Sequence, residues 1–436
     1  MAFLIKTTQS LAALFIIVGI HELGHLLFAK LFKMRVTRYM IGFPPKIFKV
    51  KWGETEYGLG SIPLGGAVQI AGMVDESLDT DHLHHSPQPW EFRSKPAWQR
   101  FFTILGGIIF NLISGIFIWI GLTYTMGYTY LPKDEVNKYG IMPSPIAIKI
   151  GFKTGDQIIQ INGKDFEDFN DILSPSLLLR SKSYYTIKRA GKLLELPIPE
   201  KAIEDLSDIK KAVFLRPIYP CVVHTVDTNS SAAQAGLMAE DQIIALAGQP
   251  ILDIDELTQA VKSYLGKNVE VVYLRNGIQI ATSIQIDPKG LGIELIPPPY
   301  TCKKLHYSFI ESIPVGLAKT WDLIQTQFSA IWKLITGQLS LKKSLSGPIG
   351  IAQSFGNEFI GYRFWMLVAT LSIVIGSVNL LPIPALDGGH ALWILYEALS
   401  GRKPSDRFLQ GAQKLGMILI LLLALYALGN DIRKLL

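Results

Sequence analysis

Two cysteines in 436 residues exclude both a disulfide-built fold and a cysteine-rich zinc site. Charge is also scarce. Asp, Glu, Lys and Arg make up 18% of the chain, below the roughly 25% usual for soluble domains. No long basic block is present and 49% of the residues are apolar, which excludes a disordered chain and a nucleic-acid-binding tail. The formal net charge is +6, so the position of the charges carries more information than their sum.

Long apolar runs are what the chain does have. A membrane span needs about 20 mostly apolar residues, and four stretches qualify: 11–32, 101–127, 364–395 and 415–428 with its flanks. The first sits where a signal peptide would, but it lacks a small-residue cleavage site and carries His21, Glu22 and His25, so it reads as a retained helix. The third is interrupted by Asn379, Pro382, Pro384 and Asp387. Seven basic residues and no acidic one lie between Lys30 and Lys51. A further basic cluster (Arg402, Lys403, Arg407, Lys414) joins the last two spans. Both loops are therefore expected on the cytoplasmic side, with the termini and the long middle stretch outside. Anionic headgroups are a second use for the basic loop.

The middle of the chain is duplicated. Residues 151–172 (GFKTGDQIIQINGKDFEDFNDI) recur 85 positions later at 236–257 (GLMAEDQIIALAGQPILDIDEL), with Gly151/Gly236, Asp156/Asp241, Gly163/Gly248 and Asp168/Asp253 among the identities. Each copy runs on into a strand–turn–strand pattern, which predicts two similar α+β units in tandem. The pattern resembles the PDZ domains attached to bacterial proteases. That resemblance implies capture of an extended peptide at a sheet edge, although neither copy shows a clear GLGF loop to cradle a carboxylate. A folded spacer that blocks bulky substrates is the other reading. Cys221 and Cys302 flank the second copy and could bridge in an oxidising compartment.

His21-Glu22-Leu23-Gly24-His25 is an HExxH motif on a predicted helix. Residues four apart share a helix face, so both imidazoles can reach one Zn²⁺, with Glu22 placed as general base. Ionisable residues inside a span are costly and usually functional. A catalytic zinc takes three protein ligands, and the extended HExxHxxGxxH form is absent. Glu54, Glu56, His390 and Asp387 are the candidates for the third. Asp387 is preferred, because it stands where prolines and glycines break an intramembrane helix, and a carboxylate there needs a partner.

HELGH in the first span together with NLLPIPALDGG at 379–389 resembles the site-2 protease family of intramembrane zinc metalloproteases. The stretches 62–73 (IPLGGAVQIAGM) and 345–352 (LSGPIGIA) match as well, so the resemblance covers essentially the whole chain. It implies one Zn²⁺ per chain held by His21, His25 and Asp387, with Glu22 as catalytic base. It further implies that Asn379, Pro382 and Pro384 help bind or unwind the substrate, and that Asn111, at a polar family position, joins them in substrate binding. Family members often carry Gly-Pro shortly before that Asn, where this chain has Gly107-Ile108.

The expected fold is a polytopic α-helical membrane protein with four transmembrane helices, a membrane-associated β-hairpin and two tandem extramembrane PDZ-like domains. The expected divisions are 1–35 with HExxH, a β-rich loop at 36–96, the second helix at 97–127, PDZ-like domains at 128–218 and 219–299, an amphipathic interfacial segment at 300–345, the third membrane region at 346–398, a cytoplasmic loop at 399–414 and the fourth helix at 415–436. Residues 61–73 read as an edge strand. Gly65 and Gly66 permit close approach, and with Ala67 and Val68 they offer backbone to an extended substrate. The expected function is hydrolysis of single-span proteins within the bilayer of a bacterial inner membrane. Its expected substrates are an anti-sigma factor after a first outside cut and signal-peptide remnants, with the PDZ pair as a size filter. No nucleic acid and no oligomer is implied. Two rivals use the same pieces. A non-catalytic PDZ-bearing scaffold leaves Glu22 unexplained, and a zinc sensor or transporter leaves the duplicated module and the 61–73 edge unexplained.

Overall fold

The computed structural model describes residues 2–73, 86–173, 182–199, 214–296, 300–340 and 346–435. Parts of the expected β-rich loop, of the first duplicated module and of the 345–352 match lie outside these ranges. The chain divides into two compact units, one formed by residues 1–128 and 305–436 and the other by 129–304.

Among the described residues, the first unit has four helices long and apolar enough to cross a membrane: 3–31, 97–126, 361–379 and 407–434. They belong to α1 (Ala2–Leu31), α2 (Ala97–Met126), α5 (Gly361–Asn379) and α7 (Asp406–Leu435). Between them lie α3 (Phe309–Ile335), the short α4 (Pro348–Ser354) and α6 (Asp387–Ser400). Small residues set the closest contacts, as is usual where lipid removes the hydrophobic drive between helices. A Cβ on Gly24 of α1 would fall 2.2 Å from the Gly106 carbonyl oxygen of α2. Gly115 of α2 likewise lies against Ile373 of α5. Ala13 and Ile17 of α1 pack with Phe355, Phe364 and Val368. At the far end Arg100 of α2 donates both arms of its guanidinium to Glu397 of α6, at 2.9 and 2.7 Å.

The third apolar stretch is two helices, not one. α5 ends at Asn379 and α6 starts at Asp387. Pro382 and Pro384 have no N–H to continue a helix, and Ala385 adopts φ +78°, a left-handed turn rare for a residue with a side chain. The side-chain oxygen of Gln413, from α7, accepts the Ala385 N–H at 3.2 Å and holds this turn.

α3 begins at Phe309, earlier than the amphipathic pattern at 320–339 predicts, behind a Ser308/Glu311 capping box. In its first half the buried positions are small or polar. Ser312, Gly316 and Thr320 are the buried stripe, and Gly316 sits against Ile120 of α2. Phe309, Ile310, Leu317, Trp321, Trp332 and Ile335 face outward. Lys319 lies over the rings of Trp119 and Tyr128, at 4.9 and 4.7 Å from their centroids.

β1 (Val36–Trp52) and β2 (Thr55–Ile70) form a bent antiparallel hairpin. Both strands fold on themselves, so the pairing is four segments wide. Residues 46–52 pair with 55–60, residues 55–59 also with 38–41, and residues 38–41 also with 66–70. Segment 66–70 is thereby left as one outer edge. Tyr39 Oη donates to the Gly19 carbonyl at 3.0 Å, and Leu26, Ala29, Met34, Val36 and Ile70 form a shared core, so the hairpin is fastened to α1.

The second unit holds two modules. The first has the sheet β4–β5–β6 (Gln157–Ile161, Tyr184–Arg189, Lys192–Pro197) and the pair β3–β7 (Ile141–Pro143, Leu215–Pro217) around Phe152, Ile158, Tyr185 and Ile187. In the second, β8 (Cys221–Val226), β9 (Gln242–Leu246), β10 (Asn268–Arg275), β11 (Ile278–Gln285) and β12 (Ile293–Leu295) stand in the order β11–β10–β9–β8–β12. Both cysteines are free thiols. Burial pushes the Cys221 thiol up to about 12, which keeps it protonated.

The repeated residues have the same task in each copy. Asp156 accepts two bonds from Arg189 (2.7 and 2.6 Å) and the Lys153 N–H, while that arginine also donates to the Gly151 carbonyl. Asp241 does the same with Arg275 (2.8 and 2.7 Å), the Met238 N–H and the Gly236 carbonyl. Asp253 accepts a further bidentate pair from Arg216, at 2.7 Å on each arm. Burial pushes the Asp241 and Asp253 carboxyls up, but the bonds from Arg275 and Arg216 and from backbone N–H groups outweigh it and hold both below the usual carboxylate range. A carboxyl depressed on folding contributes stability that is complete above its unfolded value of about 3.9 and is lost as pH falls through the folded one. Amide exchange in segment 221–296 of the intact protein, corrected for intrinsic rates, is therefore expected to speed up below about pH 4. Asp241→Asn should lessen that acid dependence; an unchanged pH profile in the variant would show that the ion pair does not carry it.

Candidate metal centre

The site is assembled by two antiparallel helices and the start of a third. α1 presents His21, Glu22 and His25, and α6 contributes Asp387 from its first turn. Among the described residues these two histidines and the aspartate form the one group of ligand-type side chains close enough to share a metal ion.

The spacing fits zinc. The His21 and His25 Nε2 atoms are 3.1 Å apart, and Asp387 Oδ2 is 3.2 Å from the first and 3.6 Å from the second. A tetrahedral ion with bonds of about 2.1 Å places its ligand atoms about 3.4 Å from one another. Asp387 Oδ2 is buried and makes no hydrogen bond of acceptable geometry among the described residues. A cation at the centre of the three atoms would satisfy it. Two nitrogens and one oxygen make a borderline donor set that suits zinc, and they leave the fourth position open.

α2 shapes the other side. A Cβ added to Gly107 would lie 2.5 Å from both His21 Cε1 and His25 Nε2. Only glycine leaves that space to the imidazoles, whatever residue follows it. One turn before, the Thr103 carbonyl lies 2.9 Å from His25 Nδ1 and accepts its proton, turning the Nε2 lone pair toward Asp387. One turn after, the amide of Asn111 lies 3.2 Å from His21 Nδ1.

The cavity beside the cluster, about 160 Å³, is lined by His21, Glu22, His25, segment 66–70, Ala385, Leu386, Asp387 and His390, with Arg38, Met73 and Ile104. Glu22 is buried at its wall. Gly66 is so close that a Cβ there would meet Glu22 Cγ at 2.6 Å, so the outer edge of the hairpin runs directly past this carboxylate.

The structure brings His21, Glu22, His25, Asp387, Gly66, Ala67 and Val68 together at one cavity. Gly65 lies just outside it, against the ring of Phe43. Asn379, Pro382 and Pro384 do not line the cavity; Ala385 and Leu386 line it instead, because the prolines turn the chain before it arrives. Asn111 is fully buried and touches a histidine rather than open cavity. Glu54 and Glu56 are remote from the histidines and pair with Lys30 and Lys46 at 3.0 and 2.6 Å. His390 lines the cavity, one turn after Asp387, and is no member of the ligand group. Sequence reasoning missed Thr103, since its contribution is a main-chain carbonyl. It also passed over residues 289–293, Lys-Gly-Leu-Gly-Ile. These lie at a groove between the helix Ile254–Ser263 and the edge strand β12.

The model of the family described as peptidase family M50 matches residues 9–423. The regulator of sigma-E protease of Salmonella typhimurium is 30% identical over 97% of either chain. That of Escherichia coli K12 is 29% identical over the full length of both. A Neisseria meningitidis protein with a provisional zinc metalloprotease name is 28% identical over 97% of this chain and 98% of its own.

If Gly107 is the space that zinc ligation requires, Gly107→Ala should empty the site while leaving the fold in place. Metal analysis of the purified variant is expected to give well under a tenth of the wild-type zinc, with unchanged helical circular dichroism. Full zinc in that variant would contradict the geometry.

Proposed function

Because the chain belongs to peptidase family M50 and is a zinc metalloprotease, we propose that it cleaves single-span membrane proteins within or beside their spanning segment. In this reading its substrates include an anti-sigma factor already cut on its outer side and remnant signal peptides. The names of the sigma-E relatives support the first of these. The supporting observation in the molecule is that a zinc-type ligand set, the Glu22 carboxylate and an unpaired sheet edge meet at one cavity within the helical unit.

A peptide bond inside a spanning helix is hydrogen-bonded and shielded, so it has to be drawn out before it can be attacked. Polar backbone exposed to lipid costs several kcal/mol per group, roughly. Segment 66–70 offsets this by pairing with the drawn-out chain as an added strand. Gly66 keeps that strand within reach of Glu22. The chemistry a bound zinc supplies is Lewis acidity, which acidifies water and draws charge from a carbonyl oxygen. Glu22 accepts the proton from the attacking water and returns it to the leaving nitrogen. His21, His25 and Asp387 hold the metal, and Asn379, Pro382 and Pro384 act through the 380–386 turn that delivers Asp387. In this assignment the enzyme is a bacterial inner-membrane protein with its basic loops in the cytoplasm and residues 129–304 and both termini outside.

The two modules of residues 129–304 act as PDZ-like domains that exclude substrates with a large outer part. The groove beside β12 would give the second module room for an extended chain.

The deciding test is cleavage of a single-span reporter by the purified intact protein, with zinc measured on every sample. Glu22→Gln is expected to keep its zinc and lose at least 100-fold in rate, in line with the usual worth of a general base. Asp387→Asn should lose both zinc and activity. Zinc loss in Glu22→Gln would give that residue a ligand or folding role instead. A bulky folded domain fused to the outer end of the reporter should abolish cleavage if the filter operates; equal cleavage with and without it would sink the filter.

A further inference from the structure

Residues 103, 107 and 111 recur every four positions and make one stripe down α2, facing the two histidines of α1 that are themselves four apart. The helices run antiparallel, so the first position serves His25 and the last serves His21. Thr103 takes the His25 Nδ1 proton and Gly107 gives both rings room. We propose that Asn111 completes the stripe as the positioning residue for His21, its amide oxygen accepting the Nδ1 proton so that Nε2 presents a lone pair to the metal. This rests on the zinc assignment above and replaces the substrate-binding role expected for Asn111.

Three observations carry it. His21 Nε2 points into the ligand cluster, 3.2 Å from Asp387 Oδ2. A metal-ligating histidine must carry its proton on the other nitrogen and hand it to an acceptor. Among the described residues that nitrogen meets the Asn111 amide, whose Nδ2 lies 3.2 Å from it. The amide is fully buried and its Oδ1 has no hydrogen-bond partner among the described residues, so a carbonyl acceptor is present beside the ring without other employment. The two ends of an amide have nearly the same shape, and a half-turn about Cβ–Cγ exchanges them. The ring proton decides which end faces it, and in the ligated state that end is Oδ1.

The third observation is how firmly the residue is held. Its main-chain carbonyl accepts the hydroxyls of Ser114 and of Ser372 on α5, at 3.0 and 2.9 Å, and a Cβ added to Gly376 of α5 would lie only 3.3 Å from the Asn111 Cβ. The root of the side chain is thus fixed against α5, which suits a residue that aims a ligand better than one that follows a moving substrate.

The experiment compares intact wild type with Asn111→Leu and Asn111→Asp, following zinc release to an excess of chelator as well as KM and kcat on the reporter. Asn111→Leu, similar in size but without an acceptor, should bind zinc 10- to 100-fold more weakly, the usual loss for such a partner. Asn111→Asp keeps the acceptor and should hold zinc within a few-fold of wild type. Wild-type zinc retention in Asn111→Leu, or a raised KM with zinc intact, would overturn the proposal and return Asn111 to the substrate. Equal zinc loss in both variants would overturn it as well, by showing that packing alone is at stake. Should Asn111→Leu fail to fold, Asn111→Ser, too short to reach the ring, takes its place with the same two outcomes. Because Glu22→Gln is expected to keep zinc whatever Asn111 does, failure here is distinguishable from failure of the protease reading.

Discussion

Everything at the site depends on how closely α1 and α2 approach. At Gly24 and Gly106 the two backbones meet where no Cβ would fit, and at Gly107 the same closeness leaves an opening the size of two imidazole edges. Widen that crossing by one methyl and the Thr103 carbonyl no longer meets His25, nor the Asn111 amide His21. The ligand cluster is therefore a property of a helix crossing as much as of an HExxH motif. Gly107 does the spatial work there.

Placing two imidazoles and two carboxylates at membrane depth is expensive unless each polar atom has a partner. The first unit meets that demand with short local bonds from helix to helix. Each histidine has a group on α2 for its outer nitrogen, Asn111 is tied to α5 through Ser372, and Arg100 and Glu397 neutralise one another where α2 meets α6. The same economy explains α3. In its first half the buried stripe is Ser312, Gly316 and Thr320 while Phe309, Ile310, Leu317 and Trp321 face outward, an arrangement lipid favours.

Much of this was legible in the sequence, for definite reasons. The pairing of His21 with His25 follows from the helical period, and the choice of Asp387 follows from prolines and glycines breaking an apolar run. What was not legible falls into two kinds. A main-chain acceptor such as Thr103 leaves no trace in a side-chain pattern. Register also leaves little trace. The edge at 61–73 was readable, but not the bends that make the hairpin four segments wide and lay 66–70 along Glu22. Asn379, Pro382 and Pro384 were legible as a break but not as a distance, since the turn they impose carries them past the cavity and leaves Ala385 and Leu386 on its wall.

In the proposed reading the edge at 66–70 would tie the chemistry to the choice of substrate. A cavity holding Glu22 and three ligands could in principle hydrolyse any peptide bond that reaches it, so selectivity has to come from what can arrive in an extended form. A stable helix keeps its own hydrogen bonds and has nothing to offer a strand edge. A segment weakened by glycine, proline or polar residues loses less by unwinding and recovers the loss by pairing. Gly66 favours the same outcome from the enzyme's side, because the lack of a side chain there lets the strand lie directly against Glu22. In the proposed reading, selection at this edge would therefore rest on helix strength, because the edge strand 66–70 recognises backbone rather than side chains.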